Sequence, residues 1–437
     1  MDVLTQIQRL INIKKSFINV LANIGYAVST FQEIISSIEN HKQGDLDKSL
    51  MSALNAEDAA VRMDESVYDL YERLFAQNET LLSSIDTLAS KSFYETNIVY
   101  FKSKPCNAAI NDAFGSCRSL MFAELDQATD CTTLNSTFRR CNNLVAVELP
   151  PSLDKCNDLR RTFSICTSLR KVNLPKQLPA CTSMAYMFNN CRNLDIDIEF
   201  TYLPKVANMQ NTFSGCSSLS SVTLPTALPA LTTLGDAFSG CSSLSTPLDI
   251  DCTNVLVINN CQIFNGCQNI PSLTLHSTAN IHSFSYFIYN CTSLTSVTGL
   301  DLSNAFLSVD EVKQVAAANN VTLTDADAEN VYRTTSWMGC TQTNTKLTNM
   351  PLQGTLYRSG FSIASSPLTA ESLYTWFAAL YDWTNNPEAK TTDDTKHTLT
   401  VNATSLANMQ EYVPDNGVSG EEIHLQAIEK GWAIQTT

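Results

Sequence analysis

The stretch "FSGCSSLSSVTLP" at residues 213–225 is followed at 238–244 by "FSGCSSL", the same seven letters 25 residues later. The phrase continues in both directions: phenylalanine recurs at intervals of 23 to 26 residues, a cysteine follows it, and Leu or Ile comes three residues later. A fixed period is the signature of a repeat architecture. The repeated positions are Phe114, Phe138, Phe163, Phe188, Phe213, Phe238, Phe264 and Phe287, with Cys117, Cys141, Cys166, Cys191, Cys216, Cys241, Cys267 and Cys291.

One repeat, residues 206–230, can be divided into physical elements. Val206, Met209 and Phe213 are spaced three and four apart, which predicts a short helix with one apolar face. Gly215 is the residue type expected just past a helix end. "LSSVTL" then predicts a short strand, which Pro225 ends because proline has no N–H for a ladder.

A single repeat of this kind has too small an apolar face to fold alone. Stacked repeats bury Phe on Phe, Cys on Cys and Leu on Leu, so we expect an α+β solenoid of short parallel strands and short helices. A second cysteine row, Cys106, Cys131, Cys156 and Cys181, continues as Val206 and Leu231. A position that accepts Cys, Val or Leu is an apolar packing position, so we interpret these cysteines as buried, reduced thiols. Neighbouring coils about 4.8 Å apart also leave disulfides within reach.

The repeat pattern resembles that of a known family. L-x-x-V-x-L-P, followed by a segment ending A/T-F-x-x-C-x-x-L, resembles the BspA-type leucine-rich repeats, and "LSSVTLPTALPALTTLGDAFSGCSSL" at 219–244 matches it closely. The resemblance covers about residues 105–300, with "WMGC" at 337–340 as a degenerate copy. It implies an adhesion or recognition protein, because such repeats occur in bacterial surface proteins and in phage virion proteins.

The N-terminal region has a different period. Apolar residues alternate steps of four and three over residues 1–40, which predicts a coiled-coil seam. We assign residues 1–97 to a helical region that forms homotrimers and anchors the protein; an intrachain helical hairpin is the alternative. The seam residues are Ile7, Leu10, Phe17, Leu21, Ile24, Val28, Phe31, Ile35 and Ile38.

The remaining chain is assigned in three parts. Residues 98–300 are the repeats, and 301–345 are an irregular or expanded repeat in which the spacing is lost. Residues 346–437 alternate strand and helix patterns, with Leu373, Trp376 and Phe377 facing inward, and we expect them to form an α/β cap on the last repeat.

Composition narrows the function classes. A net charge of −15 and a pI near 4.7 argue against nucleic acid or an anionic membrane as partner. The chain has no apolar run near the 20 residues of a spanning helix, and its start lacks the pattern of a secretion signal. No nucleotide, zinc or hydrolase motif occurs, so we expect no cofactor and no metal. Acidic residues at 195–199 and 249–251 leave an enzyme as the third hypothesis, although charged strand residues are usually just solvated.

The function follows from these parts. We expect a non-enzymatic virion fibre of a bacteriophage, on the head or the tail, that contacts other virion proteins through its N-terminus. It would present the repeats to a host receptor, for which a glycan is one candidate; the alternative is an adhesin on a bacterial cell surface. The candidate binding residues are Glu148, Lys171, Asn173, Asp195, Asp197, Glu199, Ser221 and Thr223.

Overall fold

A computed structural model describes a large part of the chain. The described residues are 77–102, 104–256, 262–281, 284, 286–303, 309–318, 322–325, 343–356, 361–382, 384, 397–415 and 417–437. The predicted seam over residues 1–40 and the degenerate copy at 337–340 lie outside them. The trimeric coiled coil therefore stays a prediction.

The described residues form two compact units. The first comprises residues up to Pro175 together with Asn190–Ile196, and the second comprises Lys176–Asn189 and the chain from Asp197 onward. The first unit holds one parallel sheet in the order β1-β2-β3-β4. Its strands are β1 Tyr100–Phe101, β2 Phe122–Glu124, β3 Ala146–Glu148 and β4 Lys171–Val172, with a short 3-10 helix at Ala128–Asp130.

The second unit holds four parallel sheets, ordered β5-β6, β7-β8-β9, β10-β11 and β12-β13-β14. Sequential strands pair in register, for example Ile198 of β5 with Val222 of β6. The strands are β5 Asp197–Glu199, β6 Ser221–Thr223, β7 Leu248–Ile250, β8 Ser272–Leu275, β9 Ser296–Thr298, β10 Leu300–Leu302, β11 Leu352–Gly354, β12 Phe361–Ser362, β13 His397–Val401 and β14 Trp432–Thr436.

The predicted phenylalanine ladder is confirmed within each unit. In the first unit Phe114 and Phe138 stack with ring centroids 5.1 Å apart, and Phe138 and Phe163 with centroids 5.5 Å apart. In the second, Phe213 stacks on Phe188 at 6.0 Å and on Phe238 at 5.4 Å. All of these rings are fully buried. Each unit therefore contains a stack of coils whose ladder phenylalanines pack on one another in the interior.

The short helix predicted in each repeat is wrong. Residues 210–215 form turns and bends, and no α-helix occurs among the described residues between 104 and 303. Asn211 and Gly215 have φ of 54° and 76°, in the left-handed region, which interrupts helical hydrogen bonding. The N–H groups bond to the next coil instead: Phe213 donates to the carbonyl O of Ala237 at 2.8 Å.

The same arrangement recurs from coil to coil. We call the residues from four before each phenylalanine to the following cysteine the turn segment. In the turn segment at 110–117, the N–H groups of Asp112, Phe114 and Ser116 donate to carbonyls of the next coil at 3.0, 2.8 and 2.7 Å. Within one sheet, neighbouring coils are thus joined by two ladders, one in the strands and one in the turn segments.

The ladder cysteines are buried, as predicted, and they are also hydrogen-bond donors. Cys141 Sγ donates to the carbonyl O of Phe114 in the preceding coil at 2.9 Å. The corresponding bond is 3.0 Å from Cys166 and 3.1 Å from Cys241. The same bond joins Cys117 to Phe93, Cys191 to Phe163, Cys216 to Phe188, Cys267 to Phe238 and Cys291 to Phe264. The described cysteines are free thiols, so these positions hold coils together through S–H···O bonds rather than disulfides.

Other small donors take the cysteine position in coils that the F-x-x-C pattern does not reach. In the first unit, the stack begins earlier than predicted: Phe93 stacks on Phe114 with centroids 5.5 Å apart, and Thr96 stands where later coils have cysteine. In the second unit, Asn344 Nδ2 donates to the carbonyl O of Ile288 at 3.0 Å, and Ser366 Oγ donates to the carbonyl O of Asn344 at 3.3 Å. The shared property of Thr, Asn, Ser and Cys here is a polar hydrogen.

Residues 77–83 at the start of the described chain are α-helical, and further α-helices occur in the later part of the second unit. They are α1 Val309–Ala318, α2 Ala370–Ala378, α3 Ala403–Gln410 and α4 Gly420–Glu429. Thr369, Asn402 and Ser419 cap α2, α3 and α4, each through a side-chain oxygen that accepts a backbone N–H. Leu373, Trp376 and Phe377 of α2 are buried, as predicted. That this part caps the last repeat stays a prediction.

Candidate binding surface

The outward strand residues of the first unit carry two carboxylates side by side. Glu124 of β2 and Glu148 of β3 are register partners on neighbouring parallel strands. Burial, and then the nearby Glu124 and Asp126 carboxylates, raise the pKa of Glu148. Lys171 of β4 is half-buried, and burial lowers its pKa. This row therefore places charges of both signs on a partly desolvated strip.

Asn173 binds the chain's own backbone. Its Oδ1 accepts the N–H of Leu149 at 2.5 Å, and its Nδ2 donates to the carbonyl O of Leu149 at 2.9 Å. An amide that makes both bonds to one residue mimics another strand residue and extends the pairing of β3 with β4. The side chain predicted to contact a ligand thus holds two coils together.

In the second unit, the predicted residues line two adjacent strands. Asp197 pairs in register with Ser221, and Glu199 with Thr223. Asp197, Glu199 and Thr223 are exposed, while Ile198 and Val222 between them are buried. Glu199 is bound by Lys176 Nζ at 2.5 Å in a solvent-exposed ion pair, which contributes at most about 1 kcal/mol to stability. Asp195, assigned to the first unit, is exposed.

The acidic residues predicted to group together have separate partners. Asp249 of β7 meets His276 Nε2 at 2.5 Å. Asp251 accepts the backbone N–H groups of Leu228 at 3.0 Å and Thr253 at 3.1 Å. Burial raises the pKa of Asp251, but these hydrogen bonds outweigh it and lower that pKa overall. In the part of the chain described here, no three His, Cys, Asp or Glu side chains lie close enough to hold a metal ion.

The buried thiols have the electrostatics of structural cysteines. Burial raises the pKa of Cys141, Cys166 and Cys241 well above its ordinary value, and raises that of Cys267 to about 12. Cys106 of the second row is half-buried, and burial followed by the Asp126 carboxylate raises its pKa to about 11. Thiolates are the reactive form, so these groups are poor nucleophiles at neutral pH.

The comparisons with known proteins agree with this geometry. The family model described as BspA type leucine rich repeat region matches residues 59–160, 86–210, 131–250 and 185–324, which together span more than half of the chain. The chain belongs to this family. Its BspA-type coils are those with the phenylalanine, cysteine and leucine ladders. Among curated proteins, none matches the sequence.

Two solved structures match this chain at low sequence identity. A leucine-rich repeat protein from Bacteroides ovatus is 16% identical, with 63% of this chain and 76% of that chain covered and a TM-score of 0.25. A leucine rich cell surface protein from Faecalibacterium prausnitzii is 16% identical, with 68% and 82% covered and a TM-score of 0.22. These scores are too low to transfer any functional statement.

Sequence reasoning missed a second exposed surface on the BspA-type coils. The turn segments of the first unit, with the residue after Cys117, carry Arg118, Arg139, Arg140, Arg160 and Arg161, of which all but the partly buried Arg139 are solvent-exposed. The sequence contained a sign of this surface, because the pair "RR" occurs at 139–140 and again at 160–161. Within the described residues, no helix is long and apolar enough to cross a membrane.

Proposed function

We propose that this protein is a non-enzymatic recognition protein whose BspA-type coils carry a binding surface. One observation supports this most: the interior is constant from coil to coil, whereas the exterior changes. Phe and Cys repeat inside, while the equivalent outward strand position changes from Glu148 in β3 to Asn173 just after β4, Glu199 in β5 and Thr223 in β6. A uniform scaffold with a variable surface is typical of repeat proteins that bind partners.

The finer proposal is a bacteriophage virion fibre. The heptad seam from Ile7 to Ile38 would assemble three chains and attach them to other virion proteins, and the coils would contact a receptor on the host cell. This is supported by the seam pattern and by the occurrence of BspA-type repeats in phage virion proteins. A bacterial cell-surface adhesin remains the second candidate, because the same repeats occur in such proteins.

Antibody labelling separates these two candidates. An antibody to the full chain is applied to intact virions and to intact bacterial cells of the source. Label on virions supports the fibre, and label on uninfected cells supports the adhesin. A chain found in neither place, and failing to bind any bacterial surface as a fluorescent full-length protein, would contradict the recognition proposal.

Mass photometry of the full chain tests the oligomeric state. The chain has a mass of 48.1 kDa, so we expect a trimer of roughly three times that mass. Leu21→Asp together with Val28→Asp places charges in the seam and should give monomers. A trimer that survives both substitutions would remove the seam's assigned role.

A further inference from the structure

Arginine is distributed unevenly over this chain. Seven of the 12 arginines lie between residues 118 and 192. Six of these seven belong to the turn segments of the first unit or to the residue after a ladder cysteine: Arg118, Arg139, Arg140, Arg160, Arg161 and Arg192. We call the solvent side of the turn segments of the first unit, together with their flanking residues, the turn face. It comprises residues 90–97, 111–118, 135–142, 158–167 and 190–192.

The turn face is positively charged in an acidic protein. It carries seven cations, the six arginines and Lys91, against three anions, Glu95, Asp112 and Asp158. The whole chain has a net charge of −15. Arg160 is bound to Asp158 with contacts of 2.9 and 2.7 Å. Among the described residues, the side chains of Arg118, Arg139 and Arg140 form no ion pair with an acidic group.

An exposed aromatic ring lies at one end of this charged surface. Tyr94 is 41% exposed. A Cβ atom at Gly115 would lie 2.9 Å from Cδ2 and 3.0 Å from Cε2 of this ring, so the ring rests on the backbone of Gly115. Lys91 Nζ is 5.9 Å from the ring centroid. The glycine thus provides a flat support that any other residue would disturb.

Hydrogen bonds between coils place the ring beside the arginines. Glu95 N–H donates to the carbonyl O of Gly115 at 2.8 Å, and Ser116 N–H donates to the carbonyl O of Arg139 at 2.7 Å. Tyr94, Gly115 and Arg139 each follow their coil's phenylalanine, so they form one column with a step near 4.8 Å. Arg118 and Arg140 flank this column three residues and one residue further along their coils.

We propose that the turn face of the first unit binds an anionic polysaccharide. Tyr94 would stack on a pyranose ring, and Arg118, Arg139 and Arg140 would bind its carboxylate or sulfate groups. A guanidinium presents two parallel N–H groups to a planar anion, and aromatic rings present an apolar face with a polar rim to sugars. This inference rests on the proposed recognition function, and it names the ligand class and a surface for it.

A polysaccharide fits this surface better than nucleic acid does. Single-stranded nucleic acid is bound by several aromatic platforms along a basic groove, whereas this face has one exposed aromatic ring. The charge of the remaining chain repels a dense phosphate polymer. A polymer with one charge per sugar needs only the few arginines that the turn face offers.

Substitutions already present in other coils of this chain provide a mild test. Arg118→Ser, Arg139→Ser and Arg140→Asn introduce residues found at the same positions in other coils, Ser217, Ser164 and Asn190. The control, Lys155→Ser with Arg170→Ser and Lys171→Ser, removes three cations outside the turn face. Tyr94→Ser removes the ring, and Tyr94→Phe keeps it.

Binding of the full-length proteins to immobilised polygalacturonate, dextran sulfate, neutral dextran and oligo-dT tests the proposal. We expect binding to polygalacturonate or to dextran sulfate. Tighter binding to polygalacturonate would indicate that the ligand carries carboxylate groups, and tighter binding to dextran sulfate that it carries sulfate groups. The arginine triple variant should bind at least about tenfold more weakly, because it loses one or more charge-assisted hydrogen bonds. The Tyr94→Ser variant should bind about fivefold more weakly. Tyr94→Phe and the control should match the unmodified chain.

Three results would overturn the proposal: equal binding to dextran, tighter binding to oligo-dT, or a triple variant no weaker than the control. An unaffected Tyr94→Ser variant would overturn the assignment of the ring. Binding of the full-length protein to bacterial cells related to the source distinguishes a failure of the polysaccharide proposal from a failure of the recognition proposal. If cells bind the unmodified chain and the triple variant equally, the protein still recognises cells, but the turn face is not its binding surface.

Discussion

The cysteine-bearing coils and the helical part from residue 343 onward satisfy their backbone groups in different ways. In a cysteine-bearing coil, left-handed residues turn the backbone so that its N–H groups reach the next coil, and a cysteine S–H bonds back to the preceding one. In the later part, α2, α3 and α4 satisfy their N–H groups internally and use Thr369, Asn402 and Ser419 as caps. The chain from 343 to 437 contains no cysteine.

This difference explains what the cysteine does. A turn segment without helical hydrogen bonds leaves the carbonyl of its phenylalanine facing the next coil, where it needs a donor. Cysteine supplies that donor from a side chain small and apolar enough to be buried beside stacked rings. A helix has no such carbonyl in mid-segment, so a helical segment needs no cysteine of this kind.

Alkaline pH should destabilise the cysteine-bearing coils but not the later part, and this is the largest difference that we expect between them. Burial holds the thiol pKa of Cys267 near 12, while an unfolded thiol titrates near 9. Above pH 9 the unfolded chain loses protons that the folded coils keep, so stability is full below pH 9 and falls as pH rises. At pH 10, each such thiol lowers the free energy of unfolding by about 1.4 kcal/mol.

Two spectroscopic probes report the two parts separately. All four tryptophans lie at residue 337 or later, so their fluorescence follows the later part, whereas thiolate absorbance follows the coils. In urea titrations at pH 8, 9 and 10, thiolate absorbance should show unfolding of the coils before tryptophan fluorescence changes. A loss of stability that is equal for both probes would contradict the assignment.

Phe138→Ala should give the next largest effect. Phe138 is fully buried between Phe114 and Phe163, so its removal leaves a cavity open to both neighbouring coils. We expect a loss of about 3–5 kcal/mol in the free energy of unfolding, measured with urea. A matched substitution in the later part, Trp376→Ala, should cost a similar amount but leave the thiols of the coils unreactive toward a labelling reagent.

Cys141 allows its two properties, size and donor, to be separated. Cys141→Val keeps an apolar side chain and removes the hydrogen, so we expect a loss of about 1–3 kcal/mol. Cys141→Ser keeps the donor and should cost less than the valine variant. The reverse order in urea titrations would show that the cysteine is there for its apolar surface alone.

Asn402 caps α3, because its Oδ1 accepts the N–H of Ser405 at 3.1 Å, and Asn402→Ala removes this cap. A loss of about 1 kcal/mol is expected, detected by tryptophan fluorescence in urea. Asn402→Asp, which preserves the acceptor, should be close to neutral. The same stability for the Ala and Asp variants would mean that the cap contributes nothing.

Ile165→Gly should give the smallest effect, and it should be stabilising. Ile165 is β-branched and has a φ of 64°, whereas Gly215, Gly240 and Gly266 occupy the same position in other coils. Relief of this strain should raise the free energy of unfolding by roughly 0.5–1 kcal/mol. The reciprocal change, Gly240→Ile, should lower the free energy of unfolding. An Ile165→Gly variant that is less stable than the unmodified chain, or a Gly240→Ile variant that is no less stable, would refute the left-handed turn segment.

The sequence predicted the interior of the coils well and their hydrogen bonds poorly. The period alone located Phe138 and Cys141, because a ladder residue repeats whatever its partner is. The apolar spacing of Val206, Met209 and Phe213 suits a helix equally well as a turn segment, and bonds to the next coil are invisible in one repeat. Asn211 in the left-handed region gave no warning, since asparagine is common in loops.

The candidate surface was predicted only in outline. Alternation in "LSSVTL" correctly placed Ser221 and Thr223 outward. Asn173 and its bonds to Leu149 could not be foreseen, because the partner lies 24 residues away and on another strand. The arginines of the turn face were missed because the segment was interpreted as a helix, on which those residues would not share one exposed face with Tyr94.

Raman spectroscopy of the S–H stretch tests the central claim, that the ladder cysteines are donors between coils. Eight thiols donate to a phenylalanine carbonyl with Sγ···O distances of 2.6 to 3.1 Å. We predict a band shifted to lower wavenumber in the native protein, which moves back on unfolding and weakens on Cys141→Val. A native band at the position of a thiol without a hydrogen bond would contradict the account.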